Sequence, residues 1–466
     1  MTEQYDVVVI GAGPGGYVSA IRASQLGLKT AIVDKQWLGG VCLNVGCVPS
    51  KALLKNADLA ETLRERSKEF GISFDNLQLD FGAAVKRSRK VSQRLTKGVA
   101  FLMRKNNIDV VMGSARLTDK NTVEVVEEKG EKKQLNAKNI VIATGSHTFV
   151  IPGVKIDGEK VVTYTEAILQ EKRPESVVII GAGAIGVEFA TIWSSYGTDV
   201  TIVEMLPTIL PLEDKEASAE LAKAYKKRGI KMLTSTKVES VEATDAGVKV
   251  TVSGEGGQQV LEAEQAMVAI GFRPNTSGIG LEEVGVKLDK RGFVEIDDRM
   301  ATNVPGIWAI GDVTGKLLLA HVASAQGAIC AENIAGVETI KLDYKMMPRA
   351  VYSHPQVASF GMSEEEAKEA GYEVKVGRFN FIANGKALGL GEGEGFVKII
   401  ADAKYGEILG AAMAGPDVSE LLPELTLAQR MELTSEDIAR TVHAHPTLAE
   451  VIMEAAHAVE GQAIHM

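Results

Sequence analysis

"YDVVVIGAGPGGYVSAIRASQLGLKTAIVD", residues 5–34, reads as an apolar strand, a glycine turn, a helix and a second strand. The run Val7-Val8-Val9-Ile10 reads as an apolar strand leading into the turn. Gly11, Gly13 and Gly16 follow at G-x-G-x-x-G spacing. In that setting the first glycine makes the tight turn, the second lets backbone approach a pyrophosphate, and the third allows close helix-strand packing. The helix start offers unpaired N–H donors to phosphate, and Asp34 at the next strand end suits a ribose hydroxyl. A glycine turn without a ligand is the competing reading of one such unit.

The same grammar returns at residues 176–204, "SVVIIGAGAIGVEFATIWSSYGTDVTIVE", with Gly181, Gly183 and Gly186 in the turn. Asp34 follows Gly11 by 23 positions, and Glu204 follows Gly181 by the same number. Two units at matched spacing favour two bound dinucleotides. No arginine stands close after Glu204, so its carboxylate repels a 2′-phosphate and argues for NAD over NADP; a solvated strand-end glutamate is the alternative.

Each copy closes on an apolar strand ending in glycine: "KNIVIATG" with Thr144 and Gly145, "EQAMVAIG" with Gly271. The first copy is longer because it carries two cysteines and a helical stretch over 52–105. Turn formers at 150–160 and 271–278 mark linkers. In "AIGDV" a strand ending in glycine admits a ligand and Asp312 meets its hydroxyls, or Asp312 is an ordinary turn aspartate. After Lys345 strands precede helices, the order of an α+β domain. The expected fold is α/β: two Rossmann-like dinucleotide-binding domains, 1–148 and 149–273, a central segment 274–344, and a C-terminal α+β domain, 345–466.

At 466 residues the chain is too long for one ordinary core. Its 24% charged and 45% hydrophobic residues are those of a globular protein, and no apolar run is long enough to span a bilayer. A net charge of −10 carries no basic patch that would suit nucleic acid or anionic membrane. With "MTEQY" leading straight into the first strand, and no basic leader or cleavage site, the expected location is cytoplasmic. Three cysteines make no disulfide framework.

Two of those cysteines, Cys42 and Cys47, lie in "GGVCLNVGCVPSK". On an uninterrupted helix, positions five apart sit about 140° round the axis, so a bridge requires distorted backbone, which Gly46 and Pro49 permit. A thiol at a helix start has its thiolate favoured. Zinc needs further ligands, whereas Cys330 stands alone and the first histidine is His147; the expectation for metal is none. A structural bridge and a redox pair remain the other readings.

"GGVCLNVGCVPSK", two dinucleotide units, "ATG", "GDV" and the terminal "HAHPTLAE" together resemble the flavin- and NAD-dependent disulfide reductases, and among them those that oxidise dihydrolipoamide. The resemblance covers essentially the whole chain. It implies FAD in the first unit (1–148) with 274–344 completing its site, NAD in the second (149–273), dimerisation through 345–466, Thr144-Gly145 beside the adenine side of FAD, and Asp312 on the ribitol. It implies that Cys42 exchanges with the dithiol substrate and that Cys47 lies against the flavin, with Lys51 and Glu188 near the reactive ring.

For Glu450 two readings compete. Thr447 to Glu450 fits a T-x-x-E capping box, whereas the resemblance implies that Glu450 orients His445, the base on a substrate thiol. Pro446 keeps His445 out of helical geometry. His443 is secondary, Gln326 stands where many relatives carry an acid and receives no role, and Cys330 reads as core. Because His445 lies so far along the chain from the cysteines, the resemblance implies a homodimer with shared active sites.

The expected partner is dihydrolipoamide on a lipoyl-bearing protein of a 2-oxo acid dehydrogenase or glycine cleavage assembly, and net acidity suits a basic binding domain. A glutathione- or mercuric-reductase-like enzyme and a non-catalytic nucleotide-binding subunit are the alternatives. Glu204 and the lack of a C-terminal cysteine pair weigh against the first, and the cysteine pair with His445 weighs against the second.

Overall fold

A computed structural model describes residues 3–465. Val7, Val8 and Val9 are fully buried at the centre of a seven-stranded sheet, as an unbroken apolar run requires. Strand Glu3–Ile10 pairs in parallel with Thr30–Asp34 on one side and Lys132–Ile142 on the other, and Thr30–Asp34 pairs with Asp109–Met112. Lys132–Ile142 forks. Its first half pairs antiparallel with Thr122–Val126, and its last residues pair in parallel with Ile307–Ala309.

Residues 274–344 therefore form no sheet of their own: Leu281, Val286, Val294 and Ile307 share a core with Tyr5, Val8 and Ile140. Helix Ala320–Ala335 packs on Pro14–Gln25 so closely that a Cβ on Gly327 would lie 2.4 Å from the Gly15 carbonyl oxygen.

The second unit repeats the plan, with parallel strands in the order Lys231–Leu233, Asp199–Val203, Ser176–Ile180, Gln265–Val268, Val161–Val162 and a separate antiparallel sheet over Lys237–Thr244, Gly247–Gly254 and Gly257–Ala263. Ser146–Thr148, just ahead of the first expected linker, pairs antiparallel with Phe272–Pro274 inside the second. The two units also share a core, with Leu53, Leu54 and Phe81 packed among Ile179, Phe189 and Trp193.

The last sheet is antiparallel throughout, yet every residue of Ile408–Gly415 is buried. Helices Val418–Arg430 and Glu450–Val459 cover one face, and on the other Val351, Val357, Phe396 and Ala414 pack into the core of the second unit. Burial on both faces removes the alternation an antiparallel strand otherwise shows.

Two helical readings break up. The stretch 52–105 is two helices, Cys47–Glu65 and Phe81–Lys105, because Gly71 takes φ +69° and Asp80 caps the second by accepting from Ala83 N–H. Residues 418–461 hold three helices, Val418–Arg430, Ser435–Arg440 and Glu450–Val459; the break before Ser435 carries a capping box from Thr434 to Asp437. No helix among the described residues is long and apolar enough to cross a membrane.

Candidate active site

The cysteine segment is not one helix. Helix Gly40–Asn44 carries Cys42, Gly46 breaks the path at φ −122° and ψ −116°, and Cys47 opens helix Cys47–Glu65. That break brings together two side chains a continuous helix would hold apart. Both are free thiols, and the Cys42 side chain hydrogen-bonds to Cys47. This bond pushes the Cys42 thiol well up, with burial adding to it. The same bond holds Cys47 below the usual thiol range; burial opposes it, while the Lys51 charge and a backbone N–H at the helix start assist.

Lys51, one turn on, holds both Glu188 carboxylate oxygens at 2.9 Å. Glu188 is buried in helix Ala184–Ser195, just after the second glycine turn. Burial lowers Lys51, but the facing carboxylate outweighs it and raises the lysine above its usual value. Tyr352 completes the group: its N–H donates to Glu188 Oε1 at 3.2 Å and its ring lies 4.3 Å beneath Lys51 Nζ. Sequence reading missed Tyr352, whose partners are far away in the chain, and no local signal marks it.

Both glycine turns have the geometry of a phosphate cradle. Gly11 and Gly181 take φ +106° and +102°. A Cβ on Gly16 would lie 1.9 Å from the Gly11 carbonyl oxygen, and one on Gly186 would lie 2.1 Å from that of Gly181. Around Gly13 and Gly183, by contrast, a Cβ would meet nothing within 4 Å, and neither helix start has a side-chain cap. Open space before uncapped N–H donors fits a pyrophosphate. Gly145 and Gly271, at the closing strands, have positive φ and the same open space.

The ribose-reading carboxylates already work within the chain. Asp34 Oδ2 accepts from Ala12 N–H at 2.7 Å and Oδ1 from Gln36 and Trp37; Glu204 Oε2 accepts from Ala182 N–H at 2.8 Å and Oε1 from Leu206. A carboxylate has about four acceptor sites, so each retains capacity for a hydroxyl. Thr144 gives its hydroxyl to Asn275 O.

Asp312, in the short Gly311–Thr314 turn, accepts from Ser146 Oγ at 2.8 Å, and burial pushes its carboxyl above the usual range. A half-buried carboxylate with one oxygen uncommitted fits a hydroxyl-bearing ligand. Gln326 has a clear part here. Its Oε1 accepts from Gly311 N–H at 2.6 Å and its Nε2 donates to the Tyr344 hydroxyl, so this buried amide clamps the turn that presents Asp312.

His445 Nδ1 lies 2.9 Å from Glu450 Oε1, and Glu450 Oε2 accepts from Thr447 N–H at 2.8 Å. Both readings of Glu450 therefore meet in one side chain. Only half of a capping box forms, since Thr447 Oγ1 donates to Ala444 O and the helix begins at Glu450. Burial opposes ionisation of Glu450, but the Thr447 N–H and the His445 ring outweigh it and lower its carboxyl below the usual range. The His445 side chain is 78% exposed and makes no hydrogen bond to the cysteine group among the described residues. His443 is tied to Glu424 and the Thr441 carbonyl. Cys330 is fully buried in core, and no cluster of metal-binding side chains occurs among the described residues.

A family model described as pyridine nucleotide-disulphide oxidoreductase matches residues 5–327, and the dimerisation domain of the same family matches 347–456. Relatives named dihydrolipoyl dehydrogenase are 54% identical in Mycobacterium leprae, over 99% of each chain, and 52% identical in Corynebacterium glutamicum, over 100% of each. The crystal structure of LpdA from Mycobacterium tuberculosis superposes with a TM-score of 0.91 at 27% identity, covering 98% of this chain and 99% of that one. The copper(II) complex of the HOCl-induced flavoprotein disulfide reductase RclA from Escherichia coli reaches 0.87 at 26%, over 98% and 99%. Through its fold, its paired cysteines and both of these matches, the chain belongs to the pyridine nucleotide-disulphide oxidoreductase family.

Proposed function

We propose that this protein is an NAD-dependent dihydrolipoamide dehydrogenase, oxidising the dithiol of protein-bound dihydrolipoamide to the disulfide at Cys42 and Cys47. Full-length relatives of that name at 52–54% identity support the activity. The observation that carries the site is the cysteine pair, set on two helices broken at Gly46, beside the Lys51–Glu188 ion pair. When bound, FAD supplies a two-electron carrier between dithiol and pyridine nucleotide, and NAD+ the final hydride acceptor. Gly11, Gly13, Gly16, Asp34, Thr144, Gly145 and Asp312 are proposed to hold FAD, with Lys51 and Glu188 at its reactive ring. Gly181, Gly183, Gly186, Glu204 and Gly271 are proposed to hold NAD.

Starting from a Cys42–Cys47 disulfide, His445 of the partner subunit takes a proton from one substrate thiol, and Glu450 steadies the resulting imidazolium. The thiolate attacks Cys42 Sγ. Cys47 leaves, because the better-stabilised thiolate is the better leaving group. The second substrate thiol then attacks the mixed disulfide, releasing oxidised lipoamide, and Cys42 takes up the proton. The product state has a Cys42 thiol beside a Cys47 thiolate, in keeping with the opposite directions in which the two thiols are shifted.

The proposed division of labour follows the boundaries 1–148, 149–273, 274–344 and 345–466, with the dimerisation domain bringing His445 to the second copy. A 2-oxo acid dehydrogenase or glycine cleavage assembly is the proposed setting. The cytoplasm is the proposed location, since a chain with thiols kept for exchange suits a reducing compartment.

Steady-state oxidation of dihydrolipoamide with NAD+, alongside Cys42→Ser, tests this. Turnover in the parent and its loss in the variant support the reading. Turnover surviving the substitution sinks the mechanism, and activity confined to NADPH with glutathione disulfide sinks the substrate.

A further inference from the structure

Whole-chain acidity hides one basic face. Helix Phe81–Lys105 carries eight lysines and arginines and no acid, in a chain of net charge −10. Its apolar side, including Phe81, Val85, Val99 and Met103, is buried. Lys90, Arg94, Lys97, Phe101 and Arg104 follow at helical spacing as one exposed stripe. None of its basic members is ion-paired with a carboxylate among the described residues. Phe101 is 56% exposed and neighbouring Leu95 42%. A solvated helix face ordinarily mixes both signs; this one does not.

The helix also abuts the redox segment. Arg89 donates to the Asn44 carbonyl, at the end of the Cys42 helix, and Arg87 donates to the Ala52 carbonyl and Asn56 Oδ1 on the Cys47 helix. The stripe thus starts beside the cysteines and runs outward for about 21 Å, enough to seat one face of a small domain.

We infer that this stripe docks an acidic surface on the protein domain that carries the dithiol arm, an inference that rests on the activity proposed above. Charge complementarity steers such a domain and sets its register, while Phe101 and Leu95 supply apolar anchors. A bilayer is a poor occupant because the helix turns its broad apolar side inward. A phosphate polymer is repelled by the acidity of the rest of the chain.

The experiment compares free dihydrolipoamide with an acidic dihydrolipoylated domain as substrates of the holoenzyme and of Lys90→Glu/Arg94→Glu/Lys97→Glu. The variant is expected to lose about tenfold to a hundredfold in kcat/KM for the domain, to lose the salt dependence, and to keep flavin content and free-substrate turnover. Unchanged domain oxidation at low salt overturns the inference. A parallel fall for free dihydrolipoamide with flavin intact also overturns it, because the residues then act in the reaction. Loss of vesicle or duplex-DNA binding with domain oxidation unchanged reassigns the face and overturns it too. Failure of the parent enzyme on free dihydrolipoamide sinks the activity itself, a separate result. The triple Gln variant should show an intermediate loss; full retention there with loss in the Glu variant points to repulsion alone and counts against docking.

Discussion

The two glycine turns are nearly superposable in their contacts and differ in what covers them. In the first, Gly15 lies under helix Ala320–Ala335, where a Cβ would sit 2.9 Å from the Ala323 carbonyl oxygen, and a Cβ on Gly40 would lie 2.5 Å from Gly13 Cα. At the matching place in the second turn stands Ile185, half-buried, preceded by an exposed Ala184. One local grammar therefore serves a roofed site and an open one. A roofed cradle suits a carrier that stays, and an open one suits a nucleotide that comes and goes. Only the roofed copy carries the thiols.

Removing the thiolate reduces the first unit to a nucleotide holder like the second: Cys47→Ser should lower turnover by on the order of a thousandfold or more, with flavin retained and with loss of the long-wavelength absorbance band that a thiolate lying against flavin should give on partial reduction. Normal turnover in that variant would break the assignment. His445→Gln should cost about 10²–10⁴ in kcat. Glu450→Gln should cost less and alter the pH profile, since Glu450 holds the Thr447 N–H as well as the ring.

The roof itself is tested by exchange. Gly15→Ile should release flavin and destabilise the protein by about 1–3 kcal/mol, whereas Ile185→Gly should keep flavin at a cost of about 1 kcal/mol, read by thermal melts and absorbance. Equal flavin loss in both would erase the distinction between the turns. Glu204→Ala should raise KM for NAD+ about tenfold, one charged hydrogen bond, and leave KM for dihydrolipoamide in place.

The smallest effect concerns pH. Cys47 is held below the ordinary thiol range first by the Cys42 hydrogen bond, with Lys51 assisting against burial. Its thiolate is present above the lowered value and lost as pH falls through it. Lys51→Met removes a lowering influence, so the midpoint of the long-wavelength band should move up by about one pH unit; a downward move would contradict the placement of that charge.

Much of this was legible in residues 5–34 and 176–204, because a glycine turn between buried strand and helix is dictated by neighbours in the chain. The break between Cys42 and Cys47 was foreshadowed by Gly46 and Pro49, whereas their unequal roles came only from the family resemblance. Gln326 received no role from the sequence, since its partners Gly311 and Tyr344 meet it only through folding. Tyr352 was missed because its partners, Lys51 and Glu188, come from two other elements. The basic face was averaged away by the net charge.

What the sequence determined alone is therefore local: strand, turn and helix order, the duplicated cradle, and a kinked cysteine segment, all set by backbone preferences over a few residues. The tertiary structure decided what those parts do to one another. It pairs Lys51 with Glu188 across 137 positions, roofs one cradle and leaves its twin open, and joins His445 to Glu450. Charge pairing and close packing depend on distance in space, which chain order does not contain.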